Sequence, residues 1–192
     1  LSHPAQRAAR SLLKLLEDRG LTLATAESCT AGLLGKMITD VPGASAVYLG
    51  GWIVYSNDMK WRQLGVPKTT LRRYRAVSEP VALKLAIEAL RRSGADLSVA
   101  ITGIAGPEGG TRDKPVGTVW IAVSRRETPR PRSAARPNTA PPIASAAWRF
   151  RFRGSRAAIR HSAALHALDL VHSAARGESI GRPAVAAARR TS

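Results

Sequence analysis

The chain has 192 residues, 44% of them hydrophobic, and a formal net charge of +17. No apolar run approaches the roughly 20 residues needed to span a bilayer, and a single cysteine excludes both an internal disulfide framework and a cysteine-rich zinc site. The length suits one domain with its own core, and an aromatic content of 5% requires that core to be aliphatic and alanine-rich.

The elements read in order as follows. Residues 5–19 form a helix with Leu12, Leu13, Leu15 and Leu16 as its apolar stripe, stopped by Gly20. "LTLAT" (21–25) is a short strand, and a helix starts from Ser28 or Thr30, with Leu33, Leu34, Met37 and Ile38 on one side. "SAVYLGGWIVYS" (45–56) is rich in β-formers, and its Gly-Gly pair predicts a bend or a close backbone approach. Short helices follow at 57–65, capped by Asn57, and at 66–75. A longer helix runs from Glu79, with Ser78 as N-cap and Gly94 as C-cap.

"DLSVAIT" (96–102) is a buried strand, "GIAGPEGGTRDKP" (103–115) a glycine-rich loop and "VGTVWIAVS" (116–124) another strand. Residues 126–147 carry five prolines and read as a flexible insertion. "WRFRFR" (148–153) alternates like an edge strand, 155–175 is helical, and 176–192 is a disordered basic tail. Residues 1–175 therefore form a single domain. Alternating strands and helices predict an α/β fold, a three-layer α/β/α sandwich with a largely parallel sheet. Ligands of such folds bind beyond the carboxyl ends of strands. Both loops rich in small polar residues, 26–30 and 103–115, fall there.

The first loop holds Glu27, Ser28, Cys29 and Thr30. Ser28 reads either as a helix cap or as a nucleophile, and a nucleophile needs a base. His3, His161, His166 and His172 all lie outside the two loops, which disfavours a Ser-His-acid arrangement. A lysine serves instead when burial lowers its pKa. Lys60, after the second strand, opens toward the same edge as Ser28, whereas Lys36 points away from it. Cys29 has no histidine nearby and reads as a buried structural thiol. Residues 103–110 bring backbone N–H groups together for a phosphate or carboxylate, although the spacing matches neither a P-loop nor GxGxxG.

The excess positive charge is uneven: residues 1–125 hold 17 Lys and Arg against 10 Asp and Glu, and residues 126–192 hold 13 against 3. Such a surface attracts phosphates, on nucleic acid or on a small nucleotide. Arginine-alanine compositional bias in the last third is the plainer reading.

Taken together, "TAESCTAG", "ITDVPGASAVYLGGWIVYSNDMK", "LGVP", "AVSEPVA" and "SVAITGIAGPEGGTRDKPVGTVWIAV" resemble the CinA C-terminal domain family, over residues 5–125 and again from about 148 to 172. The resemblance implies hydrolysis of the amide of nicotinamide mononucleotide to nicotinic acid mononucleotide and ammonia, within pyridine nucleotide recycling. It implies a mixed, mostly parallel sheet, no metal and no cofactor, a stand-alone form, and a homodimer; the single cysteine makes a cytoplasmic protein the economical reading. On the matching positions it makes Ser28 the nucleophile, Lys60 the base and Tyr55 a proton relay or ring-positioning group. Cys29 and Thr30 would hold the oxyanion, Thr102, Gly103, Gly106, Gly109 and Gly110 would line the substrate loop, and Arg156 would contact a phosphate or a substrate carboxylate. Glu27 is a candidate anchor for the loop. Two positions depart from the family's pattern: Ala31 replaces a glycine and Ser155 replaces an acid. A non-catalytic or nucleic-acid-associated protein of the same ancestry is the alternative, disfavoured by the lack of any nucleic-acid-binding motif.

Overall fold

The computed structural model describes residues 3–127 and 142–180. Five strands lie in the order β2 (Tyr48–Ile53), β1 (Leu23–Glu27), β3 (Leu97–Gly103), β4 (Thr118–Arg126) and β5 (Ile143–Arg151). β1 pairs in parallel with β2 and β3, and β4 pairs antiparallel with β3 and β5. Four of the five strands therefore run one way and β4 alone is reversed. The alternation of elements predicts a largely parallel sheet; the reversed β4 makes it mixed, as the family resemblance implies.

Side-chain size decides which helices cover which face. Leu97, Val99 and Ile101 of β3, with Val119, Ile121 and Val123 of β4, fill one face against α1 (His3–Asp18), α2 (Leu33–Thr39) and α6 (Arg156–Ala175). Each such buried aliphatic side chain contributes about 1.5–3 kcal/mol. The alternate positions Ala26, Ala100 and Ala122 face α3 (Asn57–Leu64), α4 (Lys68–Tyr74) and α5 (Glu79–Ser93). With only methyl groups between, α5 lies close enough for Ser98 Oγ to donate 2.6 Å to the carbonyl of Ala86. No helix among the described residues is long and apolar enough to cross a membrane.

Several local expectations shift. The cap of α3 is Ser56, whose hydroxyl accepts from Met59 N, rather than Asn57. Ser78 sits at the N-cap position of α5 but turns its hydroxyl back to the carbonyl of Arg75. The Gly-Gly pair does mark a close approach: a Cβ on Gly51 would collide with Thr25 Oγ1 and lie 2.8 Å from the Thr25 carbonyl.

The expected insertion at 126–147 is partly strand. β4 continues to Arg126 and β5 begins at Ile143, because the two pair in register from Thr118–Arg151 to Arg126–Ile143. Ladder hydrogen bonds override the proline-rich composition at both ends; residues 128–141 lie outside the described residues. The first part of the expected tail is also ordered: Arg176 pairs with Glu178 at 2.6 Å and Ile180 packs on the core. Residues 181–192 lie outside the described residues.

Candidate active site

The carboxyl ends of β1, β2 and β3 meet at one edge of the sheet. Ser28, the first residue after β1, donates its N–H to Ile101 O at 2.9 Å, and Val54 donates to Glu27 O at 2.8 Å. These bonds prolong strand pairing by one residue on each side and fix the Ser28 backbone between its neighbours. Around it lies a cavity of about 270 Å³ lined by Ser28, Cys29, Tyr55, Lys60, Ala76, Val77, Thr102 to Gly106, Glu108, Gly109 and Arg156.

Lys60 lies one turn into α3, where the Ser56 cap and the Lys60 N–H to Ser56 O bond (3.1 Å) start the helix. Its side chain runs inward and is 1% exposed. Nζ donates to Ser28 Oγ at 2.9 Å, to Val54 O at 2.9 Å and to Tyr55 O at 3.0 Å. Burial lowers its pKa from 10.5 to about 8. An ammonium fills all three bonds with its three protons. A neutral amine keeps two protons for the two carbonyls and turns its lone pair toward the serine hydroxyl, which is the geometry of a general base on a nucleophile. Burial moves the neighbouring Cys29 thiol the other way, up to about 11, so it stays protonated at neutral pH.

The turn after Ser28 corrects the expected helix start. α2 begins at Leu33, later than Ser28 or Thr30, because Ala31 (φ 50°) and Gly32 (φ 91°) take left-handed backbone. The Glu27 carboxylate, 2% exposed, occupies the N-terminus of α2. It accepts from Gly32 N at 3.0 Å, Leu34 N at 3.1 Å and Gly35 N at 2.8 Å. The anchoring role expected of Glu27 is thereby given a geometry, and the N–H groups of that helix end are already used. Thr30 is wholly buried and outside the cavity lining, and its hydroxyl has no hydrogen-bond partner among the described residues. Its carbonyl accepts from Arg160 at 2.7 Å, a contact across 130 residues that no local pattern announces.

On the opposite strand end, Thr102 lines the cavity while its hydroxyl donates to Ala76 O at 2.9 Å. A Cβ on Gly103 would stand 2.7 Å from Val119 Cγ2 and 3.1 Å from Cys29 Sγ, so only glycine lets the loop start this close to the nucleophile turn. Gly106 and Gly109 line the cavity; Gly110 does not and packs against Val116. Glu108, Ala76 and Val77 line it without having been foreseen. Arg156, at the first turn of α6, donates to Gly106 O at 2.7 Å and to the Tyr55 hydroxyl at 2.9 Å. Ser155 takes over the helix cap by accepting from Ala158 N at 3.2 Å, so Arg156 is held without an acid at position 155.

His166 donates to Ser162 O and packs edge-on against Phe150 and Phe152, His172 bonds Ser11, and neither lines the cavity. A larger cavity of about 370 Å³ between α3 and α4, lined by Trp61, Lys68, Arg72 and Arg75 among others, contains neither Ser28 nor Lys60. Ser28 and Lys60 line the smaller one.

Residues 5–175 match the model of the CinA C-terminal domain. The nicotinamide-nucleotide amidohydrolase PncC of Escherichia coli strain K12 is 44% identical over 154 residues, covering 80% of this chain and 84% of that protein. A CinA-like protein of Akkermansia muciniphila is 60% identical over 107 residues, 56% of this chain and 26% of its own length. The chain spans about a quarter to a third of such longer relatives. The crystal structure of the competence/damage inducible protein CihA from Agrobacterium tumefaciens superposes with a TM-score of 0.79 at 35% identity, covering 92% of this chain and 98% of that one. A match over nearly the whole described chain, with the same architecture, makes this protein a member of the CinA C-terminal domain family.

Proposed function

We propose that the chain hydrolyses the amide of nicotinamide mononucleotide to nicotinic acid mononucleotide and ammonia, as a step of pyridine nucleotide recycling. The observation that carries this reading is the buried 2.9 Å contact between Lys60 Nζ and Ser28 Oγ on the cavity wall, and the name of the PncC relative supplies the substrate class.

Neutral Lys60 takes the proton of Ser28, and the alkoxide attacks the amide carbonyl. The tetrahedral intermediate collapses as Lys60 returns a proton to the leaving nitrogen, giving ammonia and a serine ester. Water, deprotonated by Lys60, cleaves that ester to the carboxylate and restores Ser28. The N–H of Cys29, which lines the cavity, donates to no backbone carbonyl among the described residues, which supports it as an oxyanion donor; Thr30, sealed away from the cavity, does not serve. Arg156, tethered to Tyr55 and Gly106, offers its charge at the cavity mouth to the phosphate. Residues 1–175 act as one catalytic unit, in a cytoplasmic homodimer, with a small nucleotide rather than nucleic acid as partner.

Ser28→Ala is expected to abolish ammonia release while nicotinamide mononucleotide still binds, measured by an ammonia assay and calorimetric titration. Ammonia release at the wild-type rate in Ser28→Ala would overturn the assignment.

A further inference from the structure

Four consecutive carbonyls on one side of the cavity are each held by a side chain. Lys114 Nζ donates to Tyr74 O at 3.0 Å and to Val77 O at 2.8 Å. Ser78 Oγ donates to Arg75 O at 2.9 Å, and Thr102 Oγ1 to Ala76 O at 2.9 Å. Within this segment Arg75 has φ 64°, a left-handed conformation that a residue with a Cβ seldom takes. Such backbone persists where the surroundings over-determine it, and these positions gather at ligand sites. Here the constraint continues directly into Ala76 and Val77, which line the cavity.

Lys114 comes from the opposite side. It closes a turn in which Thr111 N donates to Lys114 O at 3.0 Å and Lys114 N donates to Thr111 Oγ1 at 3.1 Å. That turn lies at the end of the glycine-rich loop, whose residues from Gly103 to Gly106 form another part of the same lining. The half-buried ammonium therefore reaches across about 40 residues of sequence to join two loops that both touch the substrate space. Thr102 also links the two sides, its hydroxyl supplying one bond where Lys114 supplies two.

We propose that Lys114 is a positioning residue: it sets the separation between the 74–77 segment and the glycine-rich loop, and so fixes how tightly the ring-bearing substrate is held. This rests on the reaction proposed above. Lys114 touches neither Ser28 nor Lys60 in the hydrogen-bond network, so its loss acts on binding common to ground and transition states, which moves KM and leaves kcat.

The test uses Lys114→Met and Lys114→Arg in the full chain, with two readouts. In steady-state kinetics on nicotinamide mononucleotide, Lys114→Met is expected to raise KM about ten-fold with kcat within about two-fold and an unchanged pH profile. Lys114→Arg, which still offers paired donors, recovers most of the loss. In hydrogen exchange without substrate, the amides of residues 74–78 are expected to exchange at least about ten-fold faster in Lys114→Met, with α5 and β3 unchanged. A wild-type KM in Lys114→Met, a fall in kcat at constant KM, or exchange quickened evenly across the protein each overturns the proposal. If the wild-type chain releases no ammonia at all, the reaction reading falls alone, and the exchange pattern by itself decides for or against the clamp.

Discussion

Lys60 Nζ and Ser28 Oγ, 32 positions apart in the chain, sit 2.9 Å from each other at the end of the parallel strands. The same nitrogen is pinned by the carbonyls of Val54 and Tyr55, which enter α3 just ahead of it. The short loop from β2 into α3 thus builds both the base and the cradle that orients it. The protonation state of this amine governs two measurable properties of the proposed enzyme.

The first is rate against pH. With a pKa of about 8, Lys60 is roughly a tenth neutral at pH 7. kcat/KM is expected to rise with pH and level off above an apparent pKa of about 8. Lys60→Met is expected to be silent across the range. A flat profile from pH 6 to 9 in the wild type counts against Lys60 as the base.

The second is stability against pH. The folded pKa of Lys60 lies below its ordinary 10.5, so between about 8 and 10.5 the unfolded chain binds more protons than the folded one. Stability from this group therefore rises with pH through that window and is constant below it. Urea unfolding at pH 7 and pH 10 is expected to show wild type gaining about 2–3 kcal/mol relative to Lys60→Met. A gap that shrinks or stays level on raising the pH overturns the burial argument.

A third prediction concerns the acid beside the nucleophile. Glu27 offers both oxygens to three N–H groups of the α2 start. Glu27→Gln replaces one acceptor with an NH2 that faces a donor, so about 2 kcal/mol or more of stability is expected to go. Denaturant melts measure this directly. Activity is expected to fall as well, since the Ser28 turn loses its tether.

Ala31 carries a φ of 50°, a conformation suited to glycine. Ala31→Gly relieves the Cβ clash at the expense of a looser unfolded chain, for a net gain of about 0.5–1 kcal/mol. A rise in Tm of roughly 1–3 °C is expected, with no change in kcat. A lower Tm would show that the turn tolerates the methyl group.

Much of the architecture could be read locally, because helix and strand periods are properties of neighbouring residues. The stripe Leu12, Leu13, Leu16, the run Leu97 to Ile101 and the Gly94 stop all appear where the pattern puts them. Composition misled where pairing partners outweigh it. β5 starts at Ile143 inside proline-rich sequence because β4 offers it a complete ladder.

The sequence by itself determined the layered α/β arrangement, the membership carried by the ordered motifs, and the presence of Ser28, Lys60 and the glycine-rich loop at strand ends. Hydrophobic alternation and glycine chemistry act over a few residues, so they are written in the chain. Only the tertiary structure decided how thoroughly the Lys60 amine is buried beside Ser28. It also turned Glu27 away to hold α2, sealed Thr30 inside, brought Arg156 to the cavity, and drew Lys114 and Arg160 from distant elements onto the carbonyls of Val77 and Thr30. Burial and long-range hydrogen bonds arise from the simultaneous packing of β1, β2, β3 and α6, and no window of sequence contains that packing.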